Sequence, residues 1–114
     1  MGHKIIIIDD SRLERKLLAA YLRPHDYEII EIDEGLGAIE AVRSIQPDLV
    51  LLDLIMSGIT GLEICSELKK AEDLRLIPVI MVTAYGDKQS RIKGLEAGAD
   101  DFLIKPVDRA ELVA

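Results

Sequence analysis

Three uninterrupted apolar blocks, Ile5-Ile6-Ile7-Ile8, Leu49-Val50-Leu51-Leu52 and Val79-Ile80-Met81-Val82, constrain the fold of this chain more than any other feature. A strand with one face in water alternates apolar and polar residues. A block of four without a break has both faces covered, which is the situation of an inner strand in a parallel sheet. With their flanks, the blocks predict strands over Lys4 to Asp9, Asp48 to Asp53 and Pro78 to Thr83, and two weaker runs, Tyr27 to Ile32 and Asp101 to Lys105, complete a set of five. The run from Tyr27 carries Glu28 and Glu31, so it is expected at an edge of the sheet with solvent beside it.

Between the strands lie segments of helix length. Ser11 followed by Glu14 is a capping-box pattern, Leu13, Leu17 and Tyr21 recur at four-residue steps, and Pro24 marks the stop. Leu36, Ile39 and Val42 form a second stripe, ended by Pro47. Leu62, Ile64, Cys65 and Leu68 form a third, starting after Gly61. Asp87 is placed to cap a fourth, with Ile92 and Leu95 inward and Gly98 near its end. Strand and helix alternate throughout, which predicts one open α/β domain over residues 1–114 with helices on both faces and right-handed crossovers. Only Asp108 to Ala114 remain for a fifth helix, too few to be stable alone, so the helix is expected to be truncated and the chain excised from something longer.

Composition excludes several classes of function. Lys and Arg number 14 against 21 Asp and Glu, a net charge of −7 that repels both a phosphate backbone and an anionic membrane surface. With no Trp, one Phe and three Tyr, the chain also lacks platforms for stacking bases. Direct nucleic-acid and membrane binding are therefore not expected. Cys65 is the single cysteine, which rules out an internal disulfide, fits a cytoplasmic location and is expected to pack as a small apolar residue.

Ligands of open α/β sheets sit outside the carboxyl ends of the strands. The predicted strands end there in Asp9-Asp10, Asp53, Thr83-Ala84 and Lys105-Pro106. Each residue alone has an ordinary reading, as a helix cap, a strand threonine or a solvated lysine; their recurrence at one edge of one sheet points to chemistry. Three carboxylates about 5 Å apart repel by roughly 3 kcal/mol per pair at an effective dielectric near 20. Lys105 supplies one compensating charge, and Mg²⁺, a hard cation that keeps waters and takes phosphate oxygens, would supply the rest. No His and Cys set of the kind that binds zinc accompanies these acids. A carboxylate so placed can attack a phosphoryl group: Asp53 is the candidate nucleophile, with Mg²⁺, Lys105 and Thr83 holding the oxygens.

These residues resemble a known family. Asp9-Asp10, the segment Asp53-Leu54-Ile55-Met56-Ser57-Gly58-Ile59-Thr60-Gly61, Pro78 through Thr83-Ala84, and Gly94 through Lys105-Pro106 are together similar to the receiver domains of two-component response regulators, of the chemotaxis-regulator type. The resemblance implies a flavodoxin-like, doubly wound sheet of strand order 2-1-3-4-5. It implies Asp53 as phosphoacceptor, a Mg²⁺ site formed by Asp9, Asp10, Asp53 and the carbonyl of Ile55, Thr83 as switch hydroxyl and Lys105 as phosphate-binding lysine. Phe102 stands where the family has an aromatic that moves inward on activation, and the Lys105-Pro106 bond is commonly cis there. The implied partners are a histidine kinase or histidine phosphotransfer domain, an output domain or effector, and a second copy in a phosphorylation-dependent homodimer. The implied chemistry is self-phosphotransfer and autodephosphorylation, not turnover as an enzyme.

Two positions depart from the family pattern: Ser57 replaces a usual Pro, and Thr60 a frequent Asp. Ile55 and Tyr85, two residues beyond Asp53 and Thr83, are expected to flank the phosphoryl group and hinder attacking water. An aspartyl-phosphate phosphatase would need a second Asp where Ile55 stands. A flavodoxin-like cofactor binder would need a phosphate-cradling loop where the two acids stand. A phosphorylation-independent interaction scaffold is the alternative left by spacing alone.

Overall fold

In the computed structural model the apolar blocks are inner strands of a five-stranded, all-parallel sheet. The structure describes residues 3–25, 27–35, 37–53, 60–83 and 88–104, and the side chains of all of these except 83, 88–91 and 104. Strands β1 (His3–Ile8), β2 (Tyr27–Ile32), β3 (Leu49–Leu52), β4 (Val79–Thr83) and β5 (Asp101–Ile104) lie in the order β2-β1-β3-β4-β5. Helices α1 (Arg12–Leu22), α2 (Ala38–Ile45), α3 (Gly61–Lys70) and α4 (Lys88–Glu96) connect them, as the alternation predicts.

The unbroken blocks serve two cores at once. Ile6, Ile8, Val50, Leu52, Val79 and Met81 pack with Ala38 and Val42 of α2 and Ile64, Cys65 and Leu68 of α3. Ile5, Ile7, Leu51 and Val82 point the other way, toward Leu18, Ala19 and Leu22 of α1. Burying each such aliphatic side chain contributes about 1.5–3 kcal/mol, which is why none of these positions is polar. Strand β2 is an edge as expected, but only Glu28 of its two acids is exposed. Glu31 is largely covered by ion pairs with Arg15 and Lys16.

Two helices turn other faces inward than their leucines and isoleucines predict. In α1 the buried residues are Leu18, Ala19 and Leu22, while Leu13 is 78 % exposed. At about 100° per residue, positions 15, 18, 19 and 22 share one face and 13, 17 and 21 lie on the other side. The apolar stripe singled out in the sequence thus lies outside the contact, whereas Arg15 sits within the contact. In α4, Ile92 and Leu95 are 43 % and 50 % exposed. Among the described side-chain positions of α4 the inward one is Gly94, where the Phe102 ring of β5 fills the space: a Cβ at 94 would lie 3.2 Å from the ring. Leu36, Asp87 and the residues expected to form the fifth helix lie outside the described residues.

The caps follow the sequence in part. Ser11 Oγ accepts the Glu14 amide at 3.3 Å at the start of α1. Both arms of a capping box occur on α3, where Thr60 Oγ1 accepts the Glu63 amide at 3.2 Å and the Glu63 carboxylate reaches back to the Thr60 amide. Thr and Asp are both good N-caps, so the departure at Thr60 replaces one helix cap by another.

At the amino edge of the sheet Lys69 ties three segments together. Its Nζ donates to the carbonyls of Arg75 and Ile77 and to Asp100 Oδ2 at 3.2, 2.9 and 2.9 Å. The same Asp100 oxygen accepts the amide of Val79, the first residue of β4, at 2.8 Å. The Lys69 stem lies against Gly98, where φ is +101° and a Cβ would stand 2.7 Å from Lys69 Cγ, so glycine is required on both counts.

Candidate metal and phosphoryl site

The strand order reverses between β1 and β3, and in open α/β sheets the crevice at that reversal is where ligands bind. Ile8 pairs with Leu52 at the last rung of these two strands. The next residue on each is an aspartate. The Asp53 amide donates to the Ile8 carbonyl at 2.9 Å, and the Asp9 amide to the Ile32 carbonyl at 3.1 Å, so both acids begin on the ladder itself. Parallel strands run about 4.8 Å apart, which delivers the two carboxylates to neighbouring positions with little help from loops.

Asp9, Asp10 and Asp53 each offer an oxygen, and these lie within 4.8 Å of one another. Asp9 is 2 % and Asp53 8 % exposed, whereas Asp10 opens to solvent. Asp9 Oδ1 accepts the Ser11 amide at 2.9 Å, a local turn that leads the chain into α1. Three carboxylates this close, two of them shielded from water, form an all-oxygen donor set. It suits a small hard cation such as Mg²⁺ and lacks the imidazole or thiolate that would favour a softer metal.

The structure therefore brings together three of the predicted site residues and leaves the others at known positions in the sheet or outside the described residues. The backbone of Thr83 ends β4 at the same carboxyl edge, paired with Ile104. Phe102 is 3 % exposed and packs in the core against Met81 and Gly94. Ile55, Ser57, Tyr85, Lys105 and Pro106 lie outside the described residues. Cys65 is buried as expected; burial pushes its thiol up to about 11, and Sγ lies 3.5 Å from the Ala97 carbonyl.

Sequence reading missed Arg15 and Glu31. Arg15 Nη1 donates to the Asp9 carbonyl at 2.8 Å. Glu31 faces Arg15 Nε at 3.4 Å and Lys16 Nζ at 3.0 Å. Burial raises the Glu31 carboxyl, but Lys16 and then Arg15 outweigh it and hold its pKa below the ordinary value. The signal was present: Arg15 shares the helical face of Leu18, Ala19 and Leu22, where a cation calls for a buried partner.

Comparison with known proteins places this geometry. The chain is 40 % identical over 114 residues to the phosphate regulon transcriptional regulatory protein PhoB of Pseudomonas aeruginosa, covering all of this chain and 50 % of that one. It spans about half the length of the curated relatives it matches. A Chloroflexus aurantiacus protein assigned as a response regulator superposes with a TM-score of 0.95 at 33 % identity, over 99 % of this chain and 93 % of that one. The receiver domain of the sensor histidine kinase PA1611 of P. aeruginosa, with a magnesium ion coordinated in its active-site cleft, superposes with a TM-score of 0.91 at 28 % identity, over 99 % and 93 %. The model of the response regulator receiver domain matches residues 5–114, from the first isoleucine of β1 onward, and the chain belongs to that family.

Proposed function

We propose that this domain is a phosphoacceptor switch in which Asp53 takes a phosphoryl group from a histidine kinase or histidine phosphotransfer domain. The observation that carries the reading is the position of Asp53, shielded from water and within 4.8 Å of Asp9 and Asp10 at the strand-order reversal. An Asp53 carboxylate oxygen attacks phosphorus, the bond from phosphorus to the donor's imidazole nitrogen breaks with its electron pair returning to the imidazole, and an acyl phosphate forms. Asp9, Asp10 and Asp53 would hold Mg²⁺ with the carbonyl of Ile55, and the cation supplies the neutralisation that lets an anion approach three carboxylates. Thr83 and Lys105 are assigned to the remaining phosphoryl oxygens. Hydrolysis of the acyl phosphate resets the switch, so the domain does not turn over as an enzyme on an external substrate.

The acyl phosphate carries roughly 1.5–2 negative charges at neutral pH in place of the single charge of the Asp53 carboxylate, spread over three strong acceptor oxygens. Drawing Thr83 and Lys105 toward that charge biases the surface of α4 and β5, which an output domain, effector or second copy then reads; Phe102 already lies inward in this structure. By similarity to the transcriptional regulatory protein PhoB and the DNA-binding response regulator MtrA, the output is transcription through a DNA-binding segment, in the cytoplasm; the chain's net charge of −7 keeps nucleic acid off the receiver itself. Among the described residues no helix is long and apolar enough to cross a membrane.

The test is intact-mass measurement after incubation with Mg²⁺ and acetyl phosphate. A gain of one phosphoryl group that requires Mg²⁺ and is absent from Asp53→Asn supports the assignment. No gain under conditions that modify another receiver, or a gain that persists in Asp53→Asn, overturns it.

A further inference from the structure

Arg15 occupies a place on α1 where an amphipathic helix ordinarily puts an apolar residue, one turn before Leu18 and Ala19, and its side chain is 11 % exposed. Its Nη1 donates to the carbonyl of Asp9, which belongs to the peptide that joins Asp9 to Asp10. The dihedrals on either side of that peptide set the direction of one carboxylate relative to the other. On its other side the guanidinium is faced by Glu31, whose second oxygen is taken by Lys16. Arg15 Nε and Glu31 Oε1 are buried and in charge contact without a hydrogen bond between them, so the ion pair holds the guanidinium in place while Nη1 makes the directed contact.

We propose that Arg15, braced by Glu31, is a positioning residue for the cation site: it fixes the Asp9–Asp10 peptide so that the two carboxylates converge with Asp53. This rests on the metal-binding reading given above. Charge and geometry here have opposite signs, which makes the role testable. A guanidinium held against the backbone of Asp9, acting through its charge alone, disfavours a nearby second cation, and its removal would tighten Mg²⁺ binding. A guanidinium acting through the peptide it holds favours the site, and its removal would weaken binding. Lysine keeps the charge but not the planar fork that reaches Asp9 and Glu31 together.

Calorimetric titration of MgCl₂ into the wild type, Arg15→Lys, Arg15→Gln and Glu31→Gln decides between them, with folding of each variant checked by circular dichroism. Both Arg15 variants are expected to bind Mg²⁺ about 10-fold or more weakly, the usual effect of removing an outer partner of a metal ligand, with a smaller loss in Glu31→Gln. Mg²⁺ affinity that is unchanged or tighter in folded Arg15 variants overturns the positioning role and leaves Arg15 a brace between α1 and β2. Should Arg15→Gln not fold, Arg15→Lys alone decides in the same sense. A wild type that binds no Mg²⁺, or binds it as well after Asp10→Asn, sinks the metal-site reading and the positioning role with it.

Discussion

The two ends of this sheet treat aspartate in opposite ways. At the amino edge Asp100 accepts from Lys69 and from the Val79 amide, and Lys69 spends its other donors on two loop carbonyls. Cation, anion and backbone are matched there, and the result is a clasp that fixes where β4 and β5 begin. At the carboxyl edge three aspartates converge within 4.8 Å, two of them shielded from water. The first arrangement lowers the energy of the fold. The second gathers like charge in one place, and the repulsion between its carboxylates favours a bound cation.

Substitutions at each end should separate these roles, and the largest effect belongs to the carboxyl edge. Asp53→Asn is expected to abolish phosphorylation while leaving the unfolding midpoint at or above the wild-type value, as mass spectrometry and urea denaturation would show. Lys69→Met should do the reverse. It removes the lysine donor from two loop carbonyls and from Asp100, which keeps only the Val79 amide, and is expected to lower stability by about 1–3 kcal/mol, with phosphorylation retained. Loss of Asp53 phosphorylation in a folded Lys69→Met protein would mean that the two edges are coupled. Asp10→Asn removes one repelling carboxylate from an exposed position. It is expected to stabilise the Mg²⁺-free domain by up to about 1 kcal/mol while weakening Mg²⁺ binding, and destabilisation measured without Mg²⁺ would break the comparison at its centre.

The smallest effect lies in acid. Burial raises Asp100, but its hydrogen bonds with Lys69 and the Val79 amide prevail, so its pKa, like that of Glu31, lies below the ordinary values of 3.8 and 4.5. A group with a depressed folded pKa binds fewer protons folded than unfolded. Its contribution is complete above the ordinary value and is lost as the pH falls through the folded one. Stability should therefore fall as the pH drops below these ordinary values, and Glu31→Gln should flatten part of that slope. An unchanged slope in Glu31→Gln would remove Glu31 from the account.

How much of this was legible in the sequence depended on what each residue faces. The strands and their number could be read because blocks such as Ile5 to Ile8 admit few other structures, and the acids could be read because they follow those blocks directly. Their convergence could not be obtained from periodicity, since it depends on β1 lying beside β3, and the strand order came from resemblance. The inward faces of α1 and α4 were misread for one reason. Sequence reading assumes that apolar residues mark the contact, but in α4 the contact is a glycine beneath the Phe102 ring, and in α1 it includes Arg15. Both exceptions depend on a partner remote in the chain, so a local pattern cannot show them.

The ladder between β1 and β3 also has a consequence for how this domain can tolerate change. Asp9 and Asp53 each stand one residue past the rung formed by Ile8 and Leu52, on strands whose side chains alternate between two faces. Their placement is thus a matter of parity. Inserting or deleting one residue within either strand would turn the whole row of isoleucines or leucines over and send the aspartate at its end to the opposite face. The two strands that present the acids are locked in count, and only paired changes that preserve odd and even can pass.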